Sequence, residues 1–506
     1  MSAASEALAE IMIESTDRAP VDTLLGAYEE VPYVGRPNRI SHPDRLATIA
    51  TLLGMNPAPP ASCRVLEVAC GDGANLIPVA ASLPDSRFIG FDFAPSGIAR
   101  AQRMATGLGL TNIEFHTLDL RAFPANFGQF DYIIAHGVYS WVPITIREHL
   151  LPLVARHLAP NGIAFVSYNA LPGCHIRRAL WEMLKYHTRD VTDLRAKLVA
   201  ARSLISLLSD PASTHSESDA LLRQELQRMG TLSDSALAHD DLSEPNDPVY
   251  FHAFVAELER NHLTFLAEAE LHTMVGLGIT PRVRQALGSM DRLAREQYLD
   301  FVHFRRFRQS LVCHAGVLSR FVVDPARLKP MHASASAGLL GLAKEGSARV
   351  PDDDAHVRAL KELLLTIWPR SVPLAELATS LASHAKPAEG TAPEAAIETA
   401  VMQTYGTGLL ELYVRPPAVV AAAGQRPTAF APARWQAVNA DFVTNVYHEV
   451  IEVKDPVLRQ LLSLLDGTRT RGQLLAETGA AFGGTNGPGL LQKALDQLAR
   501  AALLVA

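Results

Sequence analysis

Three carboxylates close successive apolar runs early in this chain: Glu67 in Arg64-Val-Leu-Glu-Val68, Asp92 after Phe88-Ile-Gly-Phe, and Asp119 in Ile113-Glu-Phe-His-Thr-Leu-Asp-Leu120. Between the first two lies Ala69-Cys-Gly-Asp-Gly-Ala-Asn75, a glycine-rich turn that leads into a helical stretch. A strand, a turn of this kind and a helix present free backbone N–H groups to whatever the loop holds. Asp92 lies 21 positions after Gly71, where a carboxylate can hydrogen-bond both hydroxyls of a ribose. Singly, Asp92 and Asp119 also fit ordinary strand-ending turns; in series they describe the rim of a nucleoside site. A nicotinamide cofactor calls for Gly-x-Gly-x-x-Gly, and the run here lacks the third glycine.

The elements that must position these groups form an alternating pattern. Strands are expected at 64–68, 88–92, 113–120, Phe130–His136 and Gly162–Tyr168, with helices at Ala74–Leu83, Ser96–Leu108 and Ile144–Leu158, the last capped by Gly162 after Pro160. Together, Glu67-Val-Ala-Cys-Gly-Asp-Gly73, Asp92, Leu118-Asp-Leu120, Phe130-Asp131 and Leu158-Ala-Pro-Asn-Gly162 resemble the class I S-adenosylmethionine (AdoMet) methyltransferases over roughly residues 60–170. The resemblance implies an α/β, Rossmann-like fold with a seven-stranded sheet, and S-adenosyl-L-methionine as cofactor. It implies cofactor contacts from Glu67, Ala69, Gly71, Gly73, Asn75, Asp92, Phe93, Asp119, Leu120 and His136. In this family pattern Glu67 meets the α-ammonium through a water or a loop N–H, Asp119 takes the adenine amino group, and Leu120 packs on the ring. Ala69 replaces the usual first glycine. Gly71 and Gly73 let the backbone approach the ligand without a Cβ in the way.

Methyl transfer from a sulfonium is an in-line displacement, in which alignment at about 3 Å is the main task. An amine nucleophile with pKa near 10.4 must first lose a proton, so the site wants an acceptor or a water path. The loops after strands four and five, His136-Gly-Val-Tyr-Ser-Trp-Val-Pro143 and Tyr168-Asn-Ala-Leu-Pro-Gly173, are where to look. His136 is the candidate base or orienter, Tyr139 and Trp141 the candidate walls of an alkylamine channel, and Tyr168 or Asn169 the candidate hydrogen-bonding holder. For each aromatic the alternative is core packing. His175, His239 and Asp240 are weaker candidates.

The whole chain bounds these readings. Its 506 residues exceed one core, and 48 % hydrophobic with 20 % charged residues is ordinary globular composition. A net charge of −7 argues against a general nucleic-acid or anionic-membrane binder. The first 184 residues contain no lysine, which disfavours self-methylation near the site. Four cysteines without C-x-x-C spacing exclude neither thiol chemistry nor packing, but give no metal or disulfide framework. No basic leader and no 18-residue apolar run are present, so the expectation is a cytoplasmic protein without membrane insertion.

Residues 1–45 suit an N-terminal lid, with Tyr28-Glu-Glu-Val-Pro-Tyr33 over the cofactor or packed on the sheet edge; residues 46–174 are the methyltransferase core. Residues 175–248, with a Ser-rich loop at 213–218, read as a helical insertion acting as a cap or a homodimer arm, or else as part of a separate helical domain. Residues 249–330 would complete the sheet, with a strand at 263–268 and an edge strand at 307–314. His239-Asp-Asp-Leu242, Asn246-Asp-Pro-Val-Tyr-Phe-His-Ala-Phe254 and Arg305-Arg-Phe-Arg-Gln-Ser-Leu-Val-Cys-His314 resemble the methyltransferase regulatory domain that accompanies class I cores in bacteria, including rickettsial protein-lysine methyltransferases. Residues 331–506 read as a mainly α C-terminal region: a linker at 334–338, a winged-helix-like unit over 355–415 and a second helical unit. The helix at 373–382 carries a single, acidic charge, so protein binding fits it better than nucleic acid. The resulting expectation is an AdoMet-dependent methyltransferase acting on protein lysine. The alternatives are a small-molecule N- or O-methyltransferase and a non-catalytic AdoMet-sensing protein.

Overall fold

The computed structural model describes residues 25–210, 217–242, 245–344, 354–384, 393–478 and 486–505. The first twenty-four residues of the expected lid, positions 211–216 of the Ser-rich stretch and the Ala/Pro-rich loop at 385–392 lie outside them.

The central sheet contains β1 (Arg64–Val68), β2 (Arg87–Asp92), β3 (Ile113–Thr117), β4 (Phe130–Ala135), β5 (Leu158–Leu171), β6 (Leu263–Glu268) and β7 (Phe307–His314). Their spatial order is β3-β2-β1-β4-β5-β7-β6, and a short strand, Val249–Tyr250, joins the end of β5. β1 to β5 run parallel; β7 runs antiparallel to both β5 and β6. Val65, Leu66 and Val68 are all buried, as are Tyr132, Ile133, Ile134 and Ala135, because helices cover both faces of a parallel sheet. Helix α1 (Pro43–Leu52), α2 (Leu76–Ser82) and α3 (Pro95–Gly107) pack on one face with the larger apolar cluster. The order reverses between β1 and β4, and the crevice at that switch point is where ligands bind in open α/β sheets.

Several local expectations change. The helix expected over 144–158 is broken into Ile144–Arg147 and α4 (Leu150–His157), and Gly162 is no cap. Leu158 already pairs with Phe130, so β5 starts there, and residues 159–162 are taken up by a register shift before Tyr132 meets Ile163. β3 stops at Thr117, and Asp119 instead caps the short 3-10 turn Leu120–Ala122. β7 is interior, not an edge. Its polar positions are buried: Arg308 is fully enclosed and Ser310 donates to Glu268 on β6 (2.8 Å), so the alternation reports a buried ionic cluster rather than solvent.

Between β5 and the last strands, α5 (Cys174–His187), α6 (Leu194–Leu208) and α7 (Glu217–Gly230) build a small apolar core of their own. Helix α8 (Phe251–Arg260) then covers the second face of the sheet, and α9 (Arg292–His303) precedes β7. Farther on, the stretch expected as a linker is a buried strand, His332–Ala335, paired antiparallel with Val372–Pro373 and Leu410–Tyr413. Its Ala and Ser side chains are small because helices 355–367 and 393–406 lie directly on the same core. The last unit carries helix Ala431–Asn439, the hairpin Val443–Thr444/Val450–Ile451, and helices Pro456–Leu464, Arg471–Glu477 and Gly487–Arg500. Among the described residues, no helix is long and apolar enough to cross a membrane.

Candidate functional site

A cleft of about 700 Å³ opens at the carboxyl ends of β1, β2 and β4. Its floor is the turn after β1. Ala69 takes φ +53° and Gly71 φ +56°. Alanine in the left-handed region costs roughly 1–2 kcal/mol, which explains why glycine is the usual residue at that first position. A Cβ on Gly71 would meet nothing within 4 Å, so this glycine borders open cleft. Gly73 differs: a Cβ there would lie about 3 Å from Ile77, Phe115 and Ala101, so its role is to seat α2 and α3 against the sheet rather than to admit a ligand.

Asp92 ends β2 inside the cleft. One oxygen accepts from Gly71 N (2.9 Å) and the other from Ala94 N (2.9 Å), leaving two further acceptor positions. Burial raises its pKa. Glu67 is buried behind the turn and pushed up to about 8 by burial, only partly relieved by Asn75, whose Nδ2 donates to its Oε1 (2.6 Å). Its Oε2 is buried with no partner. Asp119 accepts from Arg121 N (2.8 Å) and from the Arg121 guanidinium (2.8 Å); burial alone would raise its pKa, but those hydrogen bonds bring it down.

His136 lines the cleft at the end of β4, with Nδ1 2.9 Å from Ser167 Oγ. Burial drops its pKa to about 4, so it stays neutral at physiological pH and is a poor proton acceptor for an ammonium group. Of the two roles expected for it, base or orienter, this environment favours the orienter. Trp141 also lines the cleft, its ring edge-to-face with Phe307 at 6.2 Å and its buried Nε1 without a partner. Asn169 lines it too, donating from Nδ2 to Asn246 Oδ1 (2.8 Å), while Asn246 in turn donates to Asp240 O (2.7 Å). The Asn246-Asp-Pro motif is thus a tie between β5 and the insertion.

One expected channel wall, Tyr139, and one expected holder, Tyr168, fall elsewhere. Tyr139 and Tyr168 are buried beside Phe254 of α8, at ring distances of 5.3 and 4.4 Å, and do not line the cleft. Tyr139 donates to Glu257, and Tyr168 lies 3.4 Å from Ser310 Oγ. They are core. His175 also stays out of the cleft, beside Tyr250.

So the structure brings together Ala69, Gly71, Asp92, Phe93, Asp119, Leu120, His136, Trp141 and Asn169 around one space, while Glu67, Gly73 and Asn75 stand behind it. Spacing could not reveal the opposite wall. Arg177, Glu225, Arg228, Met229 and Leu232 come from the insertion, and Arg306 and Phe307 from the start of β7. Asp241 grips Arg177 in a two-pronged pair (2.8 and 2.9 Å). Asp240, a second acidic group of this wall besides Glu225, is raised to about 6 by burial against the opposing pull of Arg177. Tyr28 and Tyr33 of the N-terminal segment roof the cleft; Tyr28 stacks on His239 at 4.2 Å and meets Phe93 edge-on at 5.6 Å. Val34 N donates to Ser235 Oγ (3.2 Å) and Gly35 N to Asp72 (3.4 Å), strapping that segment across both walls.

Three family models match the chain: a methyltransferase domain over 65–162, a "predicted methyltransferase regulatory domain" over 233–314, and a "PKMT, C-terminal winged helix domain" over 425–482. The chain is similar to PKMT2 from Rickettsia typhi in complex with AdoHcy, with a TM-score of 0.81 and 25 % identity, over 94 % of this chain and all of that one. Among curated relatives, uncharacterized protein RP028 of Rickettsia prowazekii is 32 % identical over 241 residues, 47 % of this chain and 96 % of that protein. The chain belongs to the class I AdoMet-dependent methyltransferases with a methyltransferase regulatory domain.

S-adenosyl-L-methionine is the cofactor of this methyltransferase. A second relative, uncharacterized protein RP789 of the same organism, is 38 % identical over 290 residues, and the chain spans about half of its length (52 %). The winged-helix match falls on the second C-terminal unit, 425–482, whereas helix and strand order had suggested such a unit over 355–415.

Proposed function

We propose that this chain methylates the side-chain amine of lysine in a protein substrate. The observation that supports this above others is that the likeness to PKMT2 runs through 94 % of the chain, regulatory and C-terminal regions included, rather than through the cofactor core alone. AdoMet supplies an electrophilic methyl group on a sulfonium. In our reading, Asp92 takes the ribose hydroxyls with its two remaining acceptor positions, and Phe93, Leu120 and the Asp119 carboxylate border the adenine. Glu67, one oxygen committed and one free, serves the cationic amino-acid end.

The acceptor amine enters between Trp141, Phe307 and the insertion wall. An ammonium is attracted to these aromatic faces and to Asp240 before it gives up its proton. Asp240 sits near its protonation midpoint in mildly acidic solution, and is the better acceptor in this cleft than neutral His136. We assign the 25–45 strap to retaining the cofactor and the 175–248 insertion to selecting the substrate. Four free, buried cysteines suit a reducing, cytoplasmic compartment.

Purified chain, labelled AdoMet and cell lysate test the reading. The expected result is a labelled protein band that yields methyl-lysine on hydrolysis. Label appearing in a small molecule, or cofactor binding with no transfer, would replace the proposal with one of its two alternatives.

A further inference from the structure

The hairpin of the C-terminal winged-helix domain reaches the back of the cofactor turn. At its tip, His448 adopts φ +62°, a conformation that glycine would take without cost. The tip is rigid: His448 N donates to Asn445 O (3.0 Å), Glu449 N to Asn445 Oδ1 (2.9 Å), and Asn445 Nδ2 to Ala501 O (3.2 Å). A histidine held in so unfavourable a backbone position invites the question of what its ring does there.

Its Nε2 lies 2.8 Å from Asn75 Oδ1. That same oxygen accepts from the backbone N–H of Asn38 (2.8 Å), which can only donate, so the atom facing His448 is the acceptor end of the amide. His448 must therefore be the donor, as its Nε2–H tautomer. The other end of the amide, Asn75 Nδ2, then has its N–H groups for Glu67 Oε1 (2.6 Å) and Ser41 Oγ (3.1 Å). The direction of every bond in the chain is fixed, from the C-terminal domain to the strand that carries the cofactor turn. It ends at Glu67, whose Oε2 is buried with no donor of its own. A relay that pins one oxygen and leaves its twin unpaired is arranged for a donor that arrives with the ligand.

We propose that His448 is a positioning residue for the cofactor: acting through Asn75, it fixes the Glu67 carboxylate behind the cofactor turn so that its free oxygen serves the cationic end of AdoMet through a water or a loop N–H. The hairpin is thereby committed to the catalytic domain, and docking of the C-terminal unit is coupled to cofactor retention. This rests on the reading of Glu67 given above.

Titration calorimetry of AdoHcy with the full chain tests it. Removing one donor from a buried network should weaken binding about tenfold in His448→Ala, with His448→Gln, which restores an N–H donor, within about threefold of the parent. Asn75→Ala should lose as much as His448→Ala, and the double variant no more than either, because both act on one carboxylate. Parental affinity in a His448→Ala chain that still melts cooperatively would overturn the proposal, as would losses that add in the double variant. Should His448→Ala fail to fold, failed recovery in His448→Gln alongside an unaffected Asn75→Ala would overturn it equally. A Glu67→Gln chain with undiminished affinity would instead remove the role of Glu67, and the relay with it; if the parent chain bound no AdoHcy, the cofactor reading itself would fall.

Discussion

Two groups of buried carboxylates lie on either side of the sheet's centre, and they are handled in opposite ways. Under β6 and β7, Glu268, Glu296 and Asp300 surround Arg308, with Arg305 beside them; Arg308 bonds Asp300 through both Nε (2.9 Å) and Nη2 (2.8 Å) and Glu268 through Nη1 (2.7 Å). Burial raises Glu296 to about 7, so at neutrality it is only partly ionised and the excess of carboxylates over Arg305 and Arg308 is reduced. At the cofactor turn, Glu67 and Asp92 are as deeply buried, yet among the described residues neither is hydrogen-bonded by an arginine or lysine. Buried charge without its counterion is costly, and a fold keeps it where a ligand brings the missing partner. In our reading a sulfonium and an α-ammonium do so here. The first group is internal scaffolding for the sheet; the second we assign to recognition.

The contrast can be broken from either side. Arg308→Met should have the largest effect, a loss of about 3–5 kcal/mol in denaturant unfolding, because it strips Glu268, Glu296 and Asp300 of the buried guanidinium they share and leaves Arg305 alone beside them; AdoHcy affinity of the folded fraction should change little. Asp92→Ala should reverse that pattern, weakening AdoHcy by on the order of 100-fold in calorimetry, about 3 kcal/mol, through two lost ribose hydrogen bonds, while unfolding stays cooperative. The third test uses pH. Glu67 ionises near 4.5 when unfolded but holds its proton to about 8 when folded, so the unfolded chain binds fewer protons across that window and apo stability falls as pH rises through it. Relative to Glu67→Gln, the parent should lose about 1.4 kcal/mol per pH unit between those limits, and matching pH profiles would show that burial does not tax this carboxylate. Smallest of all, Tyr139→Phe should cost under about 1 kcal/mol and leave AdoHcy affinity unchanged, since its hydroxyl serves Glu257 beneath the sheet and not the cleft.

Much of the cofactor half was readable because the physics there is local. Parallel strands buried on both faces spell continuous apolar runs, and a carboxylate near the end of β1 and of β2 marks the rim, so β1, β2, β4, Asp92 and the turn at 69–75 could be placed from residue order. Facing was not readable. Trp141 and Tyr139 are two positions apart in one loop, yet one lines the cleft and the other lies against Phe254. Residue order left His136 as base or orienter, and only its enclosure separates the two. The Ala- and Ser-rich run at 334–338 suggested a linker because small residues signal flexibility and tight packing alike.

What residue order determined by itself was the class of ligand: a nucleoside-bearing donor laid across strand ends, since that needs only a turn, two carboxylates and the right interval. Tertiary structure alone decided everything that depends on distant segments meeting. The insertion supplies the far wall, a strand that alternates like an edge is held inside by a buried arginine, and a hairpin some 370 residues downstream touches Asn75. Those contacts arise from packing between cores, and pattern within any one segment carries no record of them.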